Sequence, residues 1–191
     1  KATVLSATLP AVGAEDGFIL ESAENSSQGG DFNSTQSVFP VGDDQSDRQY
    51  RSILSFDTGS LPGNAKILSV TLKIRQTKVI GDNPFLMHGK LVVELGSPFF
   101  GQSPALESMD FQATANGTAA TFNPTPVNLW YSAKFNSASL VKLNLAGNTQ
   151  LRLRFALGDN DDLGSDFIRF VSGDNLNEAT RPVLVVTYFI P

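Results

Sequence analysis

Cysteine is absent from the 191-residue chain, and histidine and tryptophan occur once each. Without cysteine there is no disulfide framework, no thiolate metal site and no cysteine nucleophile. A Ser-His-Asp arrangement would have to use His88, and no G-x-S-x-G elbow accompanies it. His88 follows Pro84-Phe85-Leu86-Met87 in a turn pattern, which predicts a histidine on a surface loop and no catalytic role. Long apolar runs are also missing. No stretch approaches the ~20 residues of a membrane helix, so no direct membrane insertion is expected. The first residues carry neither the charged nor the apolar part of a signal peptide, so a secreted form is expected to have lost its signal already.

Basic residues are few. Fourteen Lys and Arg stand against nineteen Asp and Glu, a net charge of −5. A nucleic-acid partner would demand a basic stripe, so none is expected. An acidic surface suits solubility and divalent cations better. The Gly-rich segment Gln28-Gly29-Gly30-Asp31 carries no Lys and opens no helix, so it is no phosphate cradle.

What the chain does have is period-two alternation. Leu68, Val70, Leu72 and Ile74 alternate with Ser69, Thr71, Lys73 and Arg75, as a half-buried strand requires. Before them Tyr50, Leu54 and Phe56 share a face opposite Arg51, Ser55 and Asp57. The link Thr58-Gly59-Ser60-Leu61-Pro62-Gly63-Asn64 is too short for a crossover helix, so the two runs are expected to pass from one sheet to the other. Further strands are predicted at residues 2–9, 17–21, 38–41, 90–95, 150–155, 166–171 and 182–189. Residues 22–37 and 112–134 read as irregular connections, Ser103-Pro104 opens a helical turn, and 137–144 reads as a short helix. About nine short strands predict an all-β fold, a two-sheet antiparallel jelly-roll sandwich with one or two helical turns, formed as a single domain over 1–191. Residues 1–13 are a separate pairing strand in this reading.

The stretches GDDQSDRQYRSILSFDTGSLPGNAKILSVTLKI (42–74), TQLRLRFALGDNDDLGSDFIRFVSGD (149–174) and RPVLVVTY (181–188) resemble DNRLRE-type domains of secreted and surface proteins. That group overlaps carbohydrate-binding module family 96, and the likeness spans 14–188. The resemblance implies a jelly roll, an extracellular or cell-surface location, and in some members binding of acidic polysaccharide.

Three chemistries are written into the residues. The turn Asp159-Asn160-Asp161-Asp162, with Asp43 and Asp44 in a second acidic turn and Asp174-Asn175 as a third candidate, offers the oxygens that a structural calcium ion wants. The alternative is that these residues only cap local backbone N–H groups. Tyr50, Trp130 and Tyr131 with Arg75 are the candidate carbohydrate-binding residues, and Arg152 and Arg154 are placed on an outward strand face. Sequons at Asn25, Asn33 and Asn116 are candidate glycosylation sites. Residues 2–9 are β-prone and can pair with their own sheet or with a neighbour's. The expectation is a non-catalytic structural or adhesive protein whose partners are copies of itself or a polysaccharide. A carbohydrate-binding module is the alternative.

Overall fold

The structure is a computed structural model that describes residues 3–191. The strands are β1 (Val4–Pro10), β2 (Gly17–Glu21), β3 (Gly29–Asn33), β4 (Val38–Asp43), β5 (Gln49–Phe56) and β6 (Lys66–Ile80). There follow β7 (Leu91–Gly96), β8 (Thr118–Thr121), β9 (Trp130–Lys134), β10 (Thr149–Phe155), β11 (Phe167–Val171) and β12 (Val183–Phe189). Two single-turn helices, α1 (Pro84–Met87) and α2 (Ser137–Leu140), complete the elements used below. Every pairing is antiparallel, and the order β1-β12-β6-β11-β4-β5-β10-β7-β8 describes one long sheet curled on itself. The fold is therefore an all-β antiparallel sandwich. Of the predicted first strand, Ala2 lies outside the described residues.

The fifteen-residue β6 makes the corner. Its first part pairs with β12 on one side and β9 on the other, and its last residues pair with β11. β5 and β6 are not neighbours, but Leu54 and Phe56 meet Val70, Leu72 and Ile74 in one core. Strand alternation is interrupted by a bulge at Leu68: Thr187 pairs with Ser69, but Tyr188 pairs with Ile67. The extra residue turns Ile67 toward the core and leaves Leu68 45% exposed, against the alternation read from the sequence.

Three strands lie in stretches that read as loops. Gly-rich β3 pairs only with β2, β8 is the short Thr-Ala-Ala-Thr segment beside β7, and β9 runs along β6. The turn expected from Ser103 forms later, at 108–111, where Glu107 is the cap and its N–H donates to Asp110 Oδ2 at 2.9 Å. Ser103 Oγ instead donates to the Glu107 carboxylate at 3.1 Å.

A second, smaller apolar cluster of Ile19, Ile53, Phe100, Leu106 and Phe111 lies on the outer face of β2 and β5, under the 97–115 segment. Arg152 and Arg154 belong here. Arg152 is buried, 4% exposed, and pairs with Glu94 at 2.6 Å. It donates to the carbonyls of Asp110, Phe111 and Ala113, and it lies 4.6 Å from the Phe100 ring centroid. Arg154 holds the other Glu94 oxygen at 2.9 Å. The outward face predicted for Arg152 is in fact roofed by this segment, and the guanidinium holds the roof down.

Candidate metal centre

One end of the sandwich gathers carboxylates from three separated segments, the end of β2 with the following loop, the β4–β5 turn and the loop between β10 and β11, and α1 adds the His88 imidazole. β4 and β11 pair from Val38 to Gly42, which brings the 43–47 and 159–166 turns side by side. Five of the seven non-glycine residues with positive φ among the described residues lie in these loops: Asn25, Ser27, Asp47, Asp161 and Leu163. Such backbone persists only where the surroundings hold it, and it clusters at sites that bind or react.

The inner part is a buried knot. Asp43, His88 and Asp166 each present a ligand-type atom, all within 4.8 Å of one another. His88 Nε2 lies 3.3 Å from Asp43 Oδ1 and 3.2 Å from the Asp166 carbonyl. Asp43 Oδ1 also accepts the Asp166 N–H at 3.0 Å. Asp43 Oδ2 and His88 Nδ1 are buried without a hydrogen-bond partner. Burial pulls the His88 pKa down, but the Asp43 hydrogen bond and the charges of Asp43 and Asp166 outweigh it and raise the pKa overall. The surface position predicted for His88 is wrong: the residue is fully buried against Phe155, because α1 tucks its C-terminal end under the turns.

The outer part faces solvent. The carboxyl of Asp159 is pushed up by burial and then by the charges of Asp161, Asp43, Asp47 and Glu21. Glu24 is raised too, by lost hydration and then by Asp161, Asp47 and Asp159. Lost hydration leads in both shifts, and the neighbouring negative charges add to it. Asn160 donates through Nδ2 to Asp162 and Asp166, which leaves its buried Oδ1 with no partner. Asp159, Asp161, the Asn160 amide oxygen, the unpartnered Asp43 oxygen and Glu24, whose Oε1 accepts from the Asn25 amide at 3.0 Å, are all hard oxygens. They fit calcium, whereas the imidazole of the inner knot suits a transition metal better.

The remaining acidic residues are engaged locally. Asp44 accepts from Arg48 at 2.6 Å and from the N–H of Ser46 at 2.9 Å. Asp162 Oδ1 accepts the Gly164 N–H at 2.6 Å. Glu21 accepts the N–H of Ser27 and of Gln49. Of the residues named from the sequence, the structure gathers Asp159, Asn160, Asp161 and Asp43 at this end, while Asp44 and Asp162 are engaged in their own turns. Sequence reasoning did not name Glu24, His88 or Asp166; Glu24 and His88 are brought in from segments distant in sequence and leave no spacing signal.

The sugar candidates separate as well. Tyr131 is buried, stacked on Phe85 with centroids 5.3 Å apart, and its hydroxyl donates to Gln76. It presents no face to a ligand. Tyr50 is half-buried between Phe18 and Phe167. Arg75 and Trp130 are directly opposed on β6 and β9, as are Lys73 and Ser132, so all four share the outer face of that layer. Of the sequons, Asn25 and Asn116 are exposed and Asn33 is half-buried.

The class that fold and site define is an antiparallel β-sandwich with a polyacidic end. No protein-family model matches the chain, and no curated protein matches it.

Proposed function

We propose that this is a non-catalytic extracellular or cell-surface protein of structural or adhesive role, steadied by calcium at its acidic end and able to assemble by exchanging β1 between copies. The observation that carries this reading is the position of β1. It pairs with β12 through all seven of its residues, from Val4–Phe189 to Pro10–Val183, and among the described residues no strand lies along its other edge. Only Ala7 and Leu9 of this strand pack on the core, and Val4 and Leu5 are exposed. Releasing β1 forfeits those contacts, about 2–3 kcal/mol for one leucine-sized group and a methyl, together with its backbone pairing. Docking on the β12 of a neighbour restores the same contacts, so exchange is driven by concentration. A heterologous contact of this kind does not close and produces a filament.

The resemblance to DNRLRE-type domains and the exposed sequons support a secretory setting. Burial of the lone His88, out of reach of any substrate, supports the absence of catalysis. Deleting residues 1–10 tests the reading by light scattering and electron microscopy. The full chain is expected to polymerise at high concentration and the truncated chain to stay monomeric. No polymer from the full chain at any concentration, or equal assembly after truncation, refutes it.

A second reading, binding of an acidic polysaccharide, is favoured by one observation. A groove of about 560 Å³ is lined by Trp130, Lys73, Asn128 and Ser132. An aromatic face beside a cation is the chemistry a carboxylated sugar needs. Retardation in alginate or pectin gels that Trp130→Ala abolishes supports this reading, and equal mobility with and without polysaccharide rejects it.

A further inference from the structure

A different pair of carboxylates lies away from the acidic end, where the link between β1 and β2 meets the segment following β11. Asp16 is fully buried. Its Oδ2 accepts the Gly173 N–H at 2.6 Å, while its Oδ1 has no hydrogen-bond partner. Asp174, half-buried, also has a buried oxygen, Oδ2, without a partner. The two carboxyls are within reach of each other, and the Asp174 carboxylate bears on Asp16. The nearest cation does not resolve this. Arg181 is directed at the Asn175 carbonyl at 2.7 Å and at Glu178 at 3.4 Å.

The backbones around the pair are closed in by two glycines. A Cβ on Gly173 would fall 2.6 Å from Asp16 Oδ2 and 2.9 Å from the Gly13 backbone. A Cβ on Gly13 would fall 2.7 Å from Asp174 Oδ1 and 2.9 Å from the Gly173 carbonyl carbon. The chain therefore gives up side chains at both positions to bring the two acids together. Burying two adjacent carboxyls with no donor between them is costly unless a cation or a proton sits there.

We propose that Asp16 and Asp174 form a second cation site, for a calcium-sized divalent ion held by the unpartnered oxygens of both carboxylates and completed by water. The partly open side of Asp174 is the entry path. A cation between the two carboxyls removes the cost of burying them side by side. The site also lies at the root of β1, where the Ala11 N–H donates to the Pro182 carbonyl at 2.9 Å. Occupancy therefore ties the end of β1 to the start of β12.

The test is calcium stoichiometry by titration calorimetry on the full chain. Asp16→Asn is expected to bind one equivalent fewer than the unaltered protein, whether or not Asp161→Asn is also present. Failure of calcium binding at the acidic end alone would instead leave a single equivalent, sensitive to Asp16→Asn and insensitive to Asp161→Asn. If Asp16→Asn does not fold, Asp174→Asn carries the same comparison at a more open position. Anomalous scattering from crystals of the unaltered protein grown with manganese reads the site without any substitution, and density between the two carboxylates is expected. An unchanged stoichiometry in a folded variant, or no density between the carboxylates, overturns the proposal and leaves a proton shared between the two acids.

Discussion

The acidic end and the roofed flank of this sandwich both bury charge, and they handle it in opposite ways. On the flank, Glu94 is met by Arg152 and Arg154, and the remaining Arg152 donors are spent on three backbone carbonyls. Both arginines hold the Glu94 carboxyl below the usual carboxylate range despite its burial. At the acidic end the Asp159 and Glu24 carboxyls are raised, and an amide oxygen and a carboxylate oxygen are left without donors. Charge of the first kind builds architecture. Charge of the second kind is the arrangement that a cation would neutralise.

The largest expected effect comes from breaking the paired side. Arg152→Met keeps the apolar stem but leaves Glu94 half-neutralised and three carbonyls without a donor. Loss of one member of a buried pair costs about 3–5 kcal/mol. Urea denaturation should show that loss, and limited proteolysis should cut first in 97–115. Because the Glu94 pKa is depressed, its contribution is present above its ordinary 4.5 and lost as pH falls through the lower folded value. A change under about 1 kcal/mol would mean that the roof is held by the Phe100 and Phe111 contacts alone.

The unpaired side is expected to respond to a ligand instead. With free calcium a hundredfold above its dissociation constant, binding stabilises by about 2.7 kcal/mol. Chelation should therefore lower the melting temperature. Asp161→Ala should remove the part of that shift that belongs to the acidic end. Identical melting with and without chelator would sink the calcium reading of that end.

Asp110 is the exception within the paired region. Burial pushes its carboxyl up to about 6, opposed by the Glu107 N–H, reinforced by the Glu107 charge and opposed again by Arg152. A raised carboxyl contributes fully below its ordinary 3.8, and the contribution is lost as pH rises through about 6. The unaltered protein should therefore lose a few degrees of melting temperature across that window. Asp110→Asn keeps an oxygen for the Glu107 N–H and should flatten the profile. The same slope in the variant would assign the effect elsewhere.

Local pattern made much of the fold legible, and the parts it hid are those set by partners distant in sequence. Alternation in 70–74 and 150–155 marked real strands, because a period of two is a property of one strand. Leu68 escaped that reading, since a bulge depends on the register against β12, a strand more than a hundred residues away. Arg152 looked solvent-facing because its strand has a polar side, and nothing local announces that 97–115 will cover it. His88 read as a loop residue for the same reason. Asp159 and Asp161 were visible as a run of oxygen donors, whereas Asp43 meets Asp166 only once β4 and β11 are paired, and Glu24 arrives only with the pairing of β2 on β5.

The smallest expected effect tests where the boundary between the two kinds of acid runs. Asp44 stands in the acidic turn and was a candidate ligand by sequence, yet its oxygens are taken by the Arg48 guanidinium and by the N–H groups of Ser46 and Arg48. Hydrogen bonds from Arg48, together with both N–H groups, outweigh burial and hold its carboxyl below the ordinary range. Asp44→Asn keeps an acceptor for the turn and loses a partly exposed ion pair, worth roughly 0.2–1 kcal/mol. Calcium affinity should remain unchanged, while Asp159→Asn, one turn away, should weaken it. Should Asp44→Asn cut affinity as deeply as Asp159→Asn, the carboxylate must leave Arg48 to reach the ion, and the paired and unpaired acids of this end would form one ligand set.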